Sequence, residues 1–306
     1  MKRLEAVIAG MLLAAGTAWA AETSAPQPEK AVPALILVES HEFEMVDSAG
    51  SPCPGWGMRE FAVSEGGKWR EIEYGSPPSF ARIGDLFQDL GAPGTGAAFS
   101  RICRANPCMS ELDAMVLLPE KEAACPTVMV SRCAWRSQVR SGTPPPDLKP
   151  LAQRMRSDVQ PLEEDAWVKQ ERSNATGAPW DPGKLKPPAP VESLAFELAP
   201  GTPAWFVTMR QEYDAQRKPD CGSDLANYWC AVVLQKGQKI LWTAAWVATG
   251  EVKAPHCHQI IGVADLDGDG VTELVMRHQD YEGRTIHLFQ FRNGVLEELF
   301  STYDGC

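Results

Sequence analysis

The residues best suited to chemistry lie in one short run near the C-terminus, ADLDGDGVTELV, at positions 264–275. Its carboxylates are close together in the chain, at Asp265, Asp267, Asp269 and Glu273. Ca²⁺ binds about six to eight hard oxygen ligands, and a segment that curls around one point can supply most of them. Without a cation, each close pair of these carboxylates repels by about 1 kcal/mol, even in well-solvated surroundings.

Counted from Asp265, the carboxylates occupy positions one, three, five and nine of this run. Gly270 is at position six, where a sharp turn is needed, and the backbone carbonyl of Val271 at position seven can face inward. The spacing predicts a calcium loop over residues 265–273, with the four carboxylates and the Val271 carbonyl as ligands. A metal-free acidic turn is the alternative. The run is not a complete EF-hand, because position twelve is Met276 and the flanking segments are strand-like.

The run resembles the calcium loop of FG-GAP or VCBS-type repeats, whose motif is Asp-x-Asp-x-Asp-Gly-x-x-Asp between two strands. In this chain Glu273 replaces the final Asp. The resemblance covers roughly residues 259–300 and implies a blade-like module of antiparallel strands. A propeller needs several blades, and the chain has one such run. We therefore expect a single blade-like sheet packed with the strands of residues 194–247, and no closed propeller.

Residues 1–20 predict export from the cytoplasm. Lys2 and Arg3 precede an apolar run, and Ala18-Trp19-Ala20 fits a small-residue cleavage site. The apolar run is too short to span a bilayer, and no later stretch approaches the roughly twenty apolar residues that a membrane helix needs. We expect a periplasmic or secreted protein without a membrane span. The net charge of -11 disfavours nucleic acid and anionic membranes as partners, since both require a basic surface.

The chain contains nine cysteines, and an exported protein most simply uses cysteines in disulfides. Close spacing suggests three local pairs, one longer closure and one residue left over, namely Cys103/Cys108, Cys125/Cys133, Cys221/Cys230, Cys257/Cys306 and Cys53. The first two pairs could instead form a four-thiolate zinc site. Their irregular spacing and the oxidising compartment favour disulfides.

Composition and pattern divide the mature chain into four parts. They are a loose segment at 21–33, a mixed β/α domain with disulfides at 34–140, a Pro-rich connection at 141–193 and an antiparallel β domain at 194–306. The predicted fold class is therefore mainly β with minor α. Within the connection, a helix is predicted around Leu151 to Gln170, interrupted by Pro161.

Local signals predict several elements within these parts. Apolar residues at helical spacing predict a helix from Ser79 to Leu90. Strands are predicted at Ala34 to Ser40, on both sides of a Gly66-Gly67 turn, at Ala114 to Leu118, at Thr127 to Ser131 and repeatedly after Leu194. Asn293-Gly294, between alternating apolar runs, predicts a tight hairpin turn. The tryptophans of the C-terminal region form a core or an exposed stripe, and core is favoured for Trp205, Trp229, Trp242 and Trp246.

The segment His256-Cys257-His258 offers transition-metal ligands. On a strand, however, Cys257 points away from the two histidines. A disulfide cysteine flanked by surface histidines is therefore favoured over a metal site. The glycine-rich segment 91–96 lacks the Lys-Ser or Lys-Thr of a phosphate-binding loop and is interpreted as a turn.

These features predict an exported calcium-binding protein that acts as a binding or interaction module, with calcium in a structural role. The expected partner is an unknown protein or glycan in the cell envelope or outside the cell. An alternative is a secreted hydrolase with catalytic residues in 34–140 and the calcium loop as an accessory. A purely structural envelope protein is a third possibility.

Overall fold

The computed structural model describes residues 33–41, 44–47, 49, 51, 56–73, 76–92, 95–106, 114–119, 128–131, 133, 135–141, 147–214, 225–249, 256–279 and 283–305. The predicted signal peptide lies outside these residues, and its assignment stays a prediction. Residues 33–306 form one compact unit. The positions proposed as boundaries near 140 and 193 also stay predictions.

Antiparallel strands make up most of the described chain, which confirms the prediction of a mainly β protein. The strands are β1 (Ala34–His41), β2 (Glu44–Asp47), β3 (Trp56–Ser64), β4 (Trp69–Glu71), β5 (Leu86–Asp89), β6 (Gly96–Asn106), β7 (Ala114–Pro119), β8 (Val128–Val130), β9 (Trp135–Arg136), β10 (Arg140–Ser141), β11 (Ala189–Ala199), β12 (Thr202–Glu212), β13 (Ala226–Leu234), β14 (Ile240–Val247), β15 (His256–Asp265), β16 (Thr272–Gln279), β17 (Gly283–Arg292) and β18 (Val295–Gly305). The helices are α1 (Lys149–Glu164) and α2 (Ala166–Thr176), with 3-10 turns at Pro182–Lys184 and Lys236–Gln238.

Three sheets are formed. Sheet 1 has the order β1-β8-β5-β6-β7-β3-β4, with β2 paired to β6 and β1 also paired to β3. Sheet 2 has the order β10-β11-β12-β13-β14, and sheet 3 the order β18-β17-β16-β15-β9. Sheet 3 is open, with β18 and β9 at its edges. Its four longer strands form the antiparallel run that the sequence predicts after residue 256.

Sheet 3 is the central layer of the molecule. Successive side chains on a strand point to opposite faces of its sheet, and the two faces of sheet 3 pack against two different sheets. Val263, Leu274, Met276 and Phe289 pack into the cluster shared with sheet 2. Ala264, Val275, Ile286 and Leu288 pack into the cluster shared with sheet 1. The expectation that the loop-bearing sheet packs against the strands of residues 194–247 is confirmed.

Helix α1 covers the other face of sheet 2. Leu151, Met155 and Val159 recur every four residues, form one stripe and are buried against Trp205 and Trp229. The Trp229 Nε1–H donates to Asp158 Oδ2 at 2.8 Å. The layers therefore run from sheet 1 through sheet 3 and sheet 2 to α1.

Neither α-helix of the described residues is long and apolar enough to cross a membrane.

The prediction of a helix from Ser79 to Leu90 is wrong. The carboxylate of Glu60 accepts hydrogen bonds from the backbone amides of Ser79, Phe80 and Ala81, at 3.0, 2.8 and 2.6 Å. The following residues form β5, which pairs with β6 and β8. Tertiary partners therefore override the local helical spacing.

The predicted helix in the connection is confirmed, but its break is displaced. Pro161 lies inside α1, and the interruption comes at Asp165, whose φ of -58° and ψ of 133° are not helical. The Asp165 carboxylate accepts hydrogen bonds from the amides of Trp167 and Val168, and so caps α2.

The predicted hairpin turn at Asn293-Gly294 and the predicted core tryptophans are confirmed. Asn293 and Gly294 have φ of 55° and 73° between β17 and β18, as a tight hairpin turn requires. Trp205 and Trp229 are buried, and Trp242 and Trp246 pack half-buried against the cluster between sheets 2 and 3.

Two predicted disulfide pairs are not formed. Cys133 and Cys230 are thiols, which contradicts their pairing with Cys125 and Cys221. The Cys133 Sγ–H donates to the backbone carbonyl of Trp135 at 3.0 Å. Cys103 is buried and disulfide-bonded, but its predicted partner lies outside the described residues, so that pairing stays a prediction, as does the longer closure.

Candidate metal centre

The acidic loop joins β15 to β16 at one end of sheet 3. β15 ends at Asp265 and β16 begins at Thr272. Gly268 and Gly270 have φ of 80° and 82°, in the left-handed region that glycine tolerates without steric cost. The sharp turn predicted at Gly270 is therefore present, and the chain curls so that its side chains converge.

Three of the predicted ligands are brought together. One carboxylate oxygen from each of Asp265, Asp267 and Asp269 lies within 4.8 Å of the other two. Asp265 and Asp267 are 9% and 7% exposed, whereas Asp269 lies at the surface. Carboxylate oxygens are hard ligands of the kind that Ca²⁺ and Mg²⁺ prefer. The donor set therefore fits a hard divalent cation.

Backbone amides of the loop hold these carboxylates in place. Asp265 accepts hydrogen bonds from Gly268 N at 2.7 Å and Gly270 N at 3.1 Å. Asp267 accepts one from Asp269 N at 3.1 Å, and Asp269 accepts one from Val271 N at 2.7 Å. A carboxylate oxygen has two lone pairs, so an oxygen bonded to an amide can still bind a cation.

Sheet 1 also contributes to the site. The Ser64 hydroxyl, at the end of β3, donates to Asp267 Oδ2 at 2.5 Å and is buried. A Cβ on Gly67, in the adjacent turn, would lie 3.2 Å from Asp269 Oδ2. The loop is thus packed against the β3–β4 hairpin, and an ion bound there would stabilise the junction of sheets 1 and 3.

The charges of the loop are only partly compensated. Arg292 Nη2 lies 3.4 Å from Asp269 Oδ2. Burial and the neighbouring Asp267 carboxylate nevertheless raise the pKa of Asp269 above its usual range. A cation among these oxygens would favour the ionised form.

Glu273 occupies a different environment. It is fully buried, and its carboxylate accepts hydrogen bonds from Leu266 N at 2.9 Å and Gln290 Nε2 at 3.2 Å. Burial raises the pKa of Glu273 to about 8. It does not belong to the group of three convergent carboxylates. Its role as a ligand, and that of the Val271 carbonyl, stay predictions.

The sequence gives no local signal for the partners of the loop. Ser64 is 203 positions away from Asp267 in the chain, and Gln290 is 17 away from Glu273. The prediction that His258 lies at the surface is wrong. Its side chain faces the interior between sheets 2 and 3, and the residue is only 7% exposed. The side chains of His256 and Cys257 lie outside the described part of the structure.

A cleft of about 770 Å³ lies on the far side of the molecule from the loop's sheet, beside α1. It is lined by residues that include Arg156, Glu163, Lys169, Trp180 and Gln211. Two side chains contact the ring of Trp180. The fully buried Arg172 guanidinium lies 4.3 Å from the ring centroid, and Tyr213 stacks on the ring with centroids 4.2 Å apart.

Comparisons of this chain with protein-family models, with characterised proteins and with solved structures find no significant match.

Proposed function

We propose that this chain is an exported calcium-binding protein that acts as a binding or interaction module, with calcium in a structural role. The observation that carries the proposal is the convergence of Asp265, Asp267 and Asp269 within 4.8 Å of one another. Asp265 and Asp267 are buried, so their repulsion is less screened than at an open surface. The likeness of the run to an FG-GAP or VCBS-type loop supports calcium as the ion. Export follows from the predicted signal peptide.

The ion would act by fixing the loop between β15 and β16. Val271 and Glu273 would complete the shell in the proposed arrangement. For a dissociation constant of about 10⁻³ to 10⁻⁴ M, millimolar calcium adds roughly 0.4–1.4 kcal/mol to the free energy of unfolding. In a chain of this size that gain corresponds to a melting shift of about 1–5 °C.

Asp267→Asn tests the calcium site, because it removes one charge and keeps the shape of the side chain. Thermal melting is followed in millimolar calcium and in excess chelator. The wild type should melt about 1–5 °C higher with calcium, and the variant should show no such shift. Asp214→Asn, at an exposed position outside the loop, should behave as wild type. Equal melting of the wild type with calcium and with chelator would refute the site.

The cleft beside α1 supports the binding-module part of the proposal. An aromatic wall and a few polar groups in a concave surface are typical of ligand sites. Protein and glycan ligands from the cell envelope should lose binding in Lys169→Glu but keep it in Lys236→Glu, which changes an exposed lysine in the 3-10 turn between β13 and β14, away from the cleft lining. Turnover of a generic ester, peptide or glycoside substrate by the wild type, abolished by a substitution in 34–140, would favour the hydrolase instead.

A further inference from the structure

Three of the five histidines of the chain meet on the face of sheet 3 that packs against sheet 2. They are His258 on β15, His278 on β16 and His287 on β17. The ring centroid of His258 lies 4.5 Å from that of His278 and 5.1 Å from that of His287. The cluster is separate from the acidic loop, which lies at the other end of β15.

A thiol faces this cluster from sheet 2. Cys230 Sγ, on β13, lies 3.8 Å from His258 Nδ1, and both residues are buried. In a tetrahedral zinc site, with Zn–S near 2.3 Å and Zn–N near 2.0–2.1 Å, sulfur and nitrogen are about 3.6 Å apart. The observed separation is therefore close to one edge of such a site.

His287 is oriented as metal-binding histidines are. Its Nδ1 lies 2.8 Å from Glu298 Oε1. A carboxylate only accepts hydrogen bonds, so Nδ1 carries a proton, and in the neutral ring Nε2 then carries a lone pair. That Nε2 is buried and has no hydrogen-bond partner in the part of the chain that the structure describes. A carboxylate behind one ring nitrogen and a free lone pair on the other is the arrangement that orients histidines toward a metal.

We propose that Cys230, His258 and His287 form a binding site for a divalent transition-metal ion of zinc type. Imidazole and thiolate are borderline-to-soft donors that select such ions over calcium. The ring centroids of His258 and His287 lie 5.1 Å apart with planes at 44°, which allows both rings to face one ion. Trp242 closes the site with its ring centroid 4.8 Å from that of His258.

Binding requires the imidazole rings to rotate. Within the described chain the donor atoms of this cluster are not all within 4.8 Å of one another, as those of the aspartate group are. The rings of His258 and His278 stack at an interplanar angle of 10°. Parallel stacked rings cannot direct their in-plane lone pairs at the same ion. His278 therefore packs over His258, and the fourth position is left to water.

Cobalt is a suitable probe, because a thiolate ligand gives Co²⁺ an intense charge-transfer absorption. The full-length protein, freed of metal and kept reduced, is titrated with Co²⁺ and then with Zn²⁺. We expect one equivalent of Co²⁺ to bind with the charge-transfer band and Zn²⁺ to displace it. Cys230→Ser should abolish the band. Absence of the band in the folded wild type, or its persistence in Cys230→Ser, would overturn the proposal.

Glu298→Gln tests the orienting carboxylate without removing a ligand. Loss of such a partner typically weakens metal affinity by about 10–100-fold. We expect the Co²⁺ affinity of Glu298→Gln to fall by this factor, while its melting temperature in chelator equals that of the wild type. Glu297→Gln, at the neighbouring exposed position on β18, should bind Co²⁺ as wild type does. His287→Gln should weaken binding further. Wild-type affinity in both Glu298→Gln and His287→Gln would contradict the assignment.

The two metal sites are separable. Asp267→Asn should bind Co²⁺ with the wild-type band, and His287→Gln should keep its calcium-dependent melting shift. A failure of calcium to stabilise the wild type therefore leaves the cobalt experiment intact, and the reverse also holds.

Discussion

Glu273 is fully buried and has a pKa of about 8, because burial disfavours its charge. Between about pH 4.5 and 8 the folded protein keeps this proton, whereas the unfolded chain releases it. The unfolded state then binds fewer protons, so the free energy of unfolding falls as the pH rises through this window. The stabilising contribution is present below about pH 4.5 and is lost above the folded-state pKa.

Glu273→Gln should remove this pH dependence, since the amide oxygen can still accept the Leu266 N–H without ionising. Urea unfolding in chelator, compared at about pH 5.5 and about pH 8.5, should show a loss for the wild type on the order of 1–4 kcal/mol larger than for the variant. Identical losses would show that Glu273 does not titrate in this range. If Glu273 is also a calcium ligand, calcium at the higher pH should stabilise the wild type more than the variant.

The candidate ligands of the loop could be predicted because they follow a short local sequence pattern. Asp265, Asp267 and Asp269 lie two positions apart, and the glycines that allow the curl lie among them. The hydrogen bond from Ser64 could not be predicted, because it depends on how sheet 1 packs on sheet 3. The histidine cluster was missed for the same reason. Its members come from three strands, and only the pairing register brings them together.

At the scale of elements, Glu60 decides the conformation of the segment that follows β4. The helical spacing of the apolar residues after Ser79 is real, yet Ile83 and Leu86 are 59% and 75% exposed and take no part in a helical core. A single carboxylate binds three consecutive amides that a helix would leave free in its first turn. The strand predictions succeeded because alternation and turn residues such as Asn293-Gly294 are local, whereas this anchor is not.

Glu60→Ala should therefore destabilise the protein by at least about 1.5–3 kcal/mol, because amides that lie in a partly buried segment lose a charged acceptor. Urea unfolding measures the loss in free energy of unfolding, and hydrogen exchange of the amides of Phe80 and Ala81 shows whether this segment is the part that is destabilised. Both amides should exchange faster in the variant. Glu71→Ala, on the exposed edge of β4, should change stability by no more than about 0.5 kcal/mol. Unchanged exchange at Phe80 and Ala81 in the Glu60 variant would rule out the anchoring role.

At the scale of the whole molecule, the sequence predicts the presence of β structure but not the order of its layers. The sequence predicts strands where β16 and β17 lie, and the structure shows that both faces of sheet 3 are covered. Which sheet covers which face depends on contacts between residues far apart in the chain, such as Ser64 and Asp267, which are 203 positions apart. β9 shows the same limit, since Trp135 pairs with Asp265 from a segment assigned to another part of the chain.

The junction of sheets 1 and 3 makes a further prediction. Leu90 is buried in the cluster that both sheets share, and Gly262 on β15 lies directly against it. A Cβ at Gly262 would lie 2.5 Å from Leu90 Cγ and 2.8 Å from Leu90 Cδ1, well inside contact distance. Gly262→Ala should therefore cost about 1–3 kcal/mol through overpacking, and Leu90→Ala about 2–5 kcal/mol through the cavity that it leaves.

Combining the two substitutions distinguishes a packed junction from two sheets that merely lie side by side. The methyl group that Gly262→Ala adds would occupy space vacated by Leu90, so the double variant should lose less than the sum of the single losses, by about 1 kcal/mol or more. Urea unfolding should also follow one transition for probes in both sheets, because the cluster belongs to both. Additive losses, or separate transitions for sheet 1 and sheet 3, would mean that the sheets unfold independently. In that case calcium binding at the loop would stabilise sheet 3 alone.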